Sequence, residues 1–237
     1  MTQVWRALLV AAAVTGLVLG WGPRNDMLAP LVFFTDQSNI AVAAYFTFAL
    51  LWPAVAALRP GIARGPAGRR PGPAREAGWM RGAVTLYIII TGLVYHVVLA
   101  TDKNPLSLLT GRVDQPAGIA TFLLHYTVPA MALIDFLLVG RGGAYRWRYA
   151  AYWLCYPLAY LAFVLIRGAF FTVGSYPYPF VDVTAHGYAG VTRNAVEYTV
   201  LFYLLGTGVI ALARLVRRHR ATAVTASAAG TSGGESA

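Results

Sequence analysis

Cysteine is almost missing from this chain: Cys155 is the only one in 237 residues. No disulfide framework can staple the fold, and no thiolate cluster can hold a metal. Charge is scarce as well, since Asp, Glu, Lys and Arg make up 12% of the residues, against roughly a quarter in an ordinary soluble domain. A soluble domain of this length is thereby excluded. Acidic residues are rarer still, nine against 19 basic, which leaves a net charge of +10.

What fills the chain instead is apolar sequence, 58% of it, with a mean hydropathy of +0.58. A membrane-spanning helix needs about 20 apolar residues, and six segments qualify, near 5–21, 31–58, 80–100, 117–139, 149–171 and 195–216. The expected fold is therefore an all-α integral membrane protein with six transmembrane helices. It forms one membrane domain over 1–220, followed by an Ala/Ser/Thr/Gly-rich disordered cytoplasmic tail at 221–237.

The positive charge follows the pattern that orients membrane helices rather than one that binds nucleic acid. Arg6, the cluster Arg59–Arg81, Arg141, Arg146, Arg148 and the run Arg214–Arg220 bring 14 of the 19 basic residues to one side. Both termini are expected to be cytoplasmic, with membrane lipids as partners and no nucleic acid. The first span, with Arg6 before its small residues, has the look of a signal peptide. Removing it would put the two ends on opposite sides, and the charge count fits its retention. The Pro/Gly/Arg-rich stretch Arg59–Gly78 reads as a flexible cytoplasmic linker.

Polar residues inside spans cost about 2.5–3.5 kcal/mol or more when ionisable, and so need a protein interior or a water-filled cavity. The segment Thr121–Asp135 carries His125, Pro129 and Asp135. His125 and Asp135 lie about 15 Å apart along a helix, so each needs its own partner. The depth of Asp135 points to the basic inner side, such as the Arg141–Arg148 loop. Span two opens with PLVFFTDQSN, where Thr35, Ser38 and Asn39 are spaced i, i+3, i+4 and share a face. Thr35 also suits a helix N-cap. At 1.5 Å per residue Thr35 and His125 sit about 6 and 12 Å below the outer boundary. With Ser38, Asn39 and His96 they fall in the outer half of the bilayer.

A hydroxyl beside an imidazole is the minimum for nucleophilic acyl transfer, with the amides of Gln37 or Asn39 as oxyanion donors. The candidate catalytic residues are Thr35 as nucleophile and His125 as base. The candidate substrate-binding residues are Gln37, Ser38, Asn39 and His96, with Tyr178 and Phe180 from the aromatic loop GSYPYPFVDVTAHGYAG. That loop reads either as an interfacial aromatic belt or as a lid held down by an Asp182–Arg167 pair. Arg193 and Glu197 form an i,i+4 pair at the start of span six. The same polar groups also fit a non-enzymatic lipid- or small-molecule-binding protein or transporter. Haem between His96 and His125 would require both imidazoles at one depth on facing helices. No metal and no cofactor are expected.

FFTDQSN at 33–39, the HYxxP element at His125–Pro129, an acidic residue ten positions after the histidine and the YPYPF run after span five resemble the androgen-induced (FAR-17a-like) family of six-span membrane proteins. The bacterial Pr6Pr branch is the closer match. The resemblance implies a threonine hydrolase of lipid esters in a bacterial plasma membrane, acting on fatty acid esters of hydroxy fatty acids or related lipid esters, with its Thr and His roles falling on Thr35 and His125. The chain departs from the animal pattern in two places: proline follows the histidine by four residues rather than five, and DQSN replaces the animal sequence after Thr35.

Overall fold

The structure is a computed structural model that describes residues 1–22, 28–58, 78–110, 115–139 and 145–232. The expected linker from Arg59 to Ala77 lies outside the described residues, as do Arg24, Asp26, Arg112, Asp114, Arg141 and the last five residues of the tail.

Six helices are long and apolar enough to cross a membrane, and the chain is a multi-pass membrane protein. They are α1 (Thr2–Trp21), α2 (Phe34–Leu58), α3 (Gly78–Val94, continued by a π-helical turn Tyr95–Leu99), α4 (Gln115–Val139), α5 (Tyr149–Phe171) and α6 (Val183–Ser232). A short helix, Ser107–Thr110, precedes α4. No strand occurs among the described residues. The backbone of 221–232, expected as disordered tail, continues α6. Its alanines are the best helix formers available.

The packing is organised around α3, whose sequence AVTLYIIIT is apolar on every side, as a centrally buried helix must be. One face, with Leu86 and Ile90, joins a core containing Phe34, Phe136, Trp153, Tyr160 and Ile210. The other, with Val84 and Ile88, joins Leu9, Ala13, Val42, Phe46, Val128 and Ala132. Thus α1, α2 and α4 assemble on one side of α3, and α5 and α6 on the other. Gly16 of α1 meets Leu124 of α4 so closely that a Cβ there would lie 2.7 Å from the leucine side chain. This is the small-residue contact that lets membrane helices approach.

Asp135 is fully buried at the end of the bundle where α1 begins. Among the described residues its partners are on α1 and α3 rather than Arg146 or Arg148 of the expected loop. Arg6 Nε of α1 lies 3.0 Å from Oδ1 and Arg81 Nε of α3 lies 3.6 Å from Oδ2. Arg81 also donates to the carbonyls of Asp135 and Phe136. At the opposite end, Asp182 caps α6 through the amides of Thr184 and Ala185. The proposed Asp182–Arg167 pair does not form: Arg167 donates to the Ser175 carbonyl at 3.3 Å. Arg193 and Glu197 do pair, at 3.8 Å and well exposed.

Candidate active site

The chain enters α2 through a 3₁₀ turn, Ala29–Val32, whose Pro30 presets the backbone. The first helical hydrogen bond runs from the Gln37 amide to the Phe33 carbonyl. Phe33 is therefore the capping position, and Thr35 stands one residue inside the helix. Its hydroxyl is free of the cap and meets the imidazole of α4: Thr35 Oγ1 and His125 Nε2 are 3.2 Å apart.

Three features of α4 and its neighbours set the imidazole. Nδ1 lies 3.0 Å from the Thr121 carbonyl, which has only lone pairs to offer, so Nδ1 carries the proton and Nε2 is left to accept from Thr35. The Tyr95 ring stacks on the imidazole with centroids 4.0 Å apart. Finally, His125 lies in a π-helical turn, Leu123–Thr127, whose end bond reaches back five residues from Val128 to Leu123. Such insertions often occur at functional positions. Pro129, four residues after His125, has no N–H to give the His125 carbonyl. That carbonyl packs instead on Gly92 of α3, where a Cβ would come within 2.6 Å of it. Both imidazole nitrogens are engaged, which leaves none for haem iron.

The rest of the DQSN element builds the turn that presents Thr35. Ser38 and Asn39, both fully buried, donate to the Thr35 carbonyl at 3.0 and 2.9 Å. Ser38 also bonds Thr91 of α3 at 2.7 Å, and Asn39 reaches the Leu124 carbonyl at 3.4 Å. Gln37 donates to the Leu31 carbonyl at 2.6 Å and accepts from Tyr156 at 2.8 Å. Both N–H groups of Asn39 are thus committed to backbone carbonyls, while Gln37 Nε2 keeps a second N–H beyond its bond to Leu31. His96 is turned toward Tyr126, with Nδ1 at 3.1 Å from its hydroxyl. All four of these side chains bond protein groups around the turn that carries Thr35 or beside it, because buried amides and hydroxyls bond the nearest partners.

Two tyrosines on one face of α5 complete the brace. Tyr160 donates to the Val32 carbonyl at 2.8 Å, and the Phe34 ring lies 5.2 Å from the rings of both Tyr156 and Tyr160. The sequence reading passed over this support, although two tyrosines at i,i+4 within a span were its signal.

Beside Thr35 is a cavity of about 90 Å³, lined by Phe34, Ile90, Val94, Leu158, Tyr178 and Phe180 among others. It lies between the start of α2 and helices α3, α5 and α6. No residue of α4 lines it, so of the pair only Thr35 reaches the cavity. Tyr178 is buried, and its ring stacks on Phe180 at 5.3 Å. Burial pushes the Tyr178 phenol above its ordinary range, opposed by hydrogen bonding to the Thr35 side chain and to the backbone of Thr35 and Phe34. Thr35 thus meets the imidazole acceptor and shares the cavity wall with the Tyr178 phenol.

These features define a six-helix membrane protein with a part-buried hydroxyl–imidazole pair whose hydroxyl lines an apolar cavity. No family model matches the chain, and no curated protein or solved structure is significantly similar to it.

Proposed function

We propose that the protein is a membrane-embedded lipid ester hydrolase of the threonine type, a Pr6Pr-like relative of the androgen-induced family. It acts on fatty acid esters of hydroxy fatty acids or related lipid esters in a bacterial plasma membrane. The observation that carries the reading is the 3.2 Å approach of Thr35 Oγ1 to His125 Nε2, with Nδ1 committed to the Thr121 carbonyl. This is the nucleophile, base and orienting group required for a covalent acyl intermediate.

In this reading Nε2 takes the hydroxyl proton as Oγ1 attacks the ester carbonyl carbon. The resulting oxyanion is met by the Tyr178 hydroxyl in place of the Asn39 amide, both of whose N–H groups are committed. As the tetrahedral intermediate collapses, the ester C–O bond breaks and Nε2 returns the proton to the departing alkoxide. Water then replaces the alcohol, loses a proton to Nε2 and attacks the acyl-threonine. The fatty acid leaves and Thr35 is regenerated. Positive charge at the end bearing Arg6, Arg81 and Arg214 supports reading that end, and both termini, as cytoplasmic, with Thr35 in the outer half of the bilayer.

Labelling of the detergent-solubilised protein by a fluorophosphonate probe tests the reading. The expected result is covalent modification of wild type at Thr35 that is lost in Thr35→Ala and His125→Ala, with both variants still folded by gel filtration. A folded wild type that resists the probe and turns over no long- or short-chain ester would overturn the mechanism. It would leave a lipid-binding or transport protein.

A further inference from the structure

A cavity of about 90 Å³ is far smaller than the roughly 300–1,000 Å³ of ordinary ligand pockets. It can surround a reacting ester group, but it has no room for a fatty chain. Outside it lies a second hollow, an open groove of about 610 Å³ between α3 and α6. The groove floor is apolar, with Val97, Val98 and Leu201 exposed, and its other lining residues include His186, Asn194 and Glu197. Val94, Phe180 and Tyr198 belong to both hollows. The two spaces are separated by these three side chains.

The partition joins the loop before α6 to α6 itself. Phe180 and Tyr198 rings stand 4.8 Å apart, and Asn194 of α6 donates to the Phe180 carbonyl at 2.9 Å. The segment carrying Phe180 lies between Gly174 and Gly187, with φ of 76° and 64°. Positive φ at both positions is available to glycine without strain.

We propose that the α3–α6 groove is a lateral doorway through which the ester group of a membrane lipid reaches the Thr35 cavity while its acyl chain lies in the groove, with Phe180 and Tyr198 as the leaves of the doorway. The groove opens between two of the six membrane-length helices, with an apolar floor of Val97, Val98 and Leu201 and the polar His186, Asn194 and Glu197 beside it, and a lipid, with an apolar chain and a polar head, is the occupant this surface fits. The chain remains in the groove while the ester passes the aromatic pair and meets Thr35. The inference rests on the hydrolase reading only for what happens to the ester once inside.

The test uses the full chain in phosphatidylcholine vesicles whose acyl chains carry a diazirine on the carbon nearest the ester, with Leu201→Trp and Val97→Trp as groove-filling variants. Ile90 lines the cavity and is 3% exposed, so photolabel there reports an ester end that has passed inside. Label at Ile90 should fall at least fivefold in either variant and persist in Leu201→Ala, which keeps the groove open. Turnover of a long-chain ester relative to a short-chain acetate ester should fall at least tenfold in the Trp variants. Unchanged Ile90 labelling and an unchanged chain-length ratio would overturn the doorway. Ile90 labelling that the Trp variants block, in a wild type that hydrolyses neither ester, would uphold the doorway and discard the hydrolase.

Discussion

Gly92 has no side chain, and His125 sits where it does because of that. The carbonyl that Pro129 leaves without a helical donor packs directly on the Gly92 backbone, and a Cβ would stand 2.6 Å from it. Gly92→Ala must therefore move α4 relative to α3, and with it the imidazole. A displacement near 1 Å in a reacting group can cost about 10²-fold in rate. Fluorophosphonate labelling of Gly92→Ala should slow by about that factor while the protein remains folded. Labelling at the wild-type rate would show that the site tolerates the shift. The same scale explains why Ser38 and Asn39 misled. Their i,i+3 and i,i+4 spacing from Thr35 was read as a shared polar face, whereas short side chains at that spacing bond back to the helix carbonyl. The spacing is common to both outcomes, and only the neighbours, Thr91 and Leu124, decide between them.

Among the elements, the start of α6 shows most directly how a charge holds backbone in place. Asp182 Oδ1 receives the Thr184 hydroxyl and the amides of Thr184 and Ala185. These bonds hold its carboxyl below the ordinary 3.8. Since the folded-state value is depressed, the cap is fully present above the ordinary carboxylate range and is lost as pH falls through the lowered value. Amide exchange over 183–187 should accelerate at neutral pH in Asp182→Ala. Asp182→Asn should retain the cap and remove its acid sensitivity, because asparagine caps without titrating. Equal exchange in Asp182→Ala and wild type would show that the cap contributes nothing. The six spans were legible in the sequence because a run of about 20 apolar residues is a local property. The meeting of Thr35 and His125 was legible from depth alone, since both helices enter from the same side and rise 1.5 Å per residue. The cavity wall was not, because lateral order in a bundle depends on which faces of α3 receive which neighbours. Nothing in its sequence marks one apolar face from the other.

For the whole molecule, the bundle closes on a buried charge cluster. Arg6, Arg81 and Asp135 join α1, α3 and α4, with Asp135 fully buried and the Arg81 side chain 6% exposed. Removing one member of a buried pair typically costs about 3–5 kcal/mol, because the partner stays desolvated. Asp135→Ala should therefore lower the unfolding midpoint in detergent steeply. Replacing all three by apolar residues of similar volume should recover most of the loss. A midpoint unchanged in Asp135→Ala would mean that the arginines find water when the carboxylate is gone.

The cluster also bears on how the chain is made. Arg6 and Asp135 are 129 residues apart, so α1 and α3 enter the bilayer with unmatched arginines before their counter-charge has been synthesised. The first half of the bundle cannot lock until α4 emerges. From that moment the Thr35–His125 pair and the charge cluster form together, because one helix delivers both His125 and Asp135. The fourth helix thus carries both the imidazole of the site and the counter-charge of the bundle, so one element sets the two together.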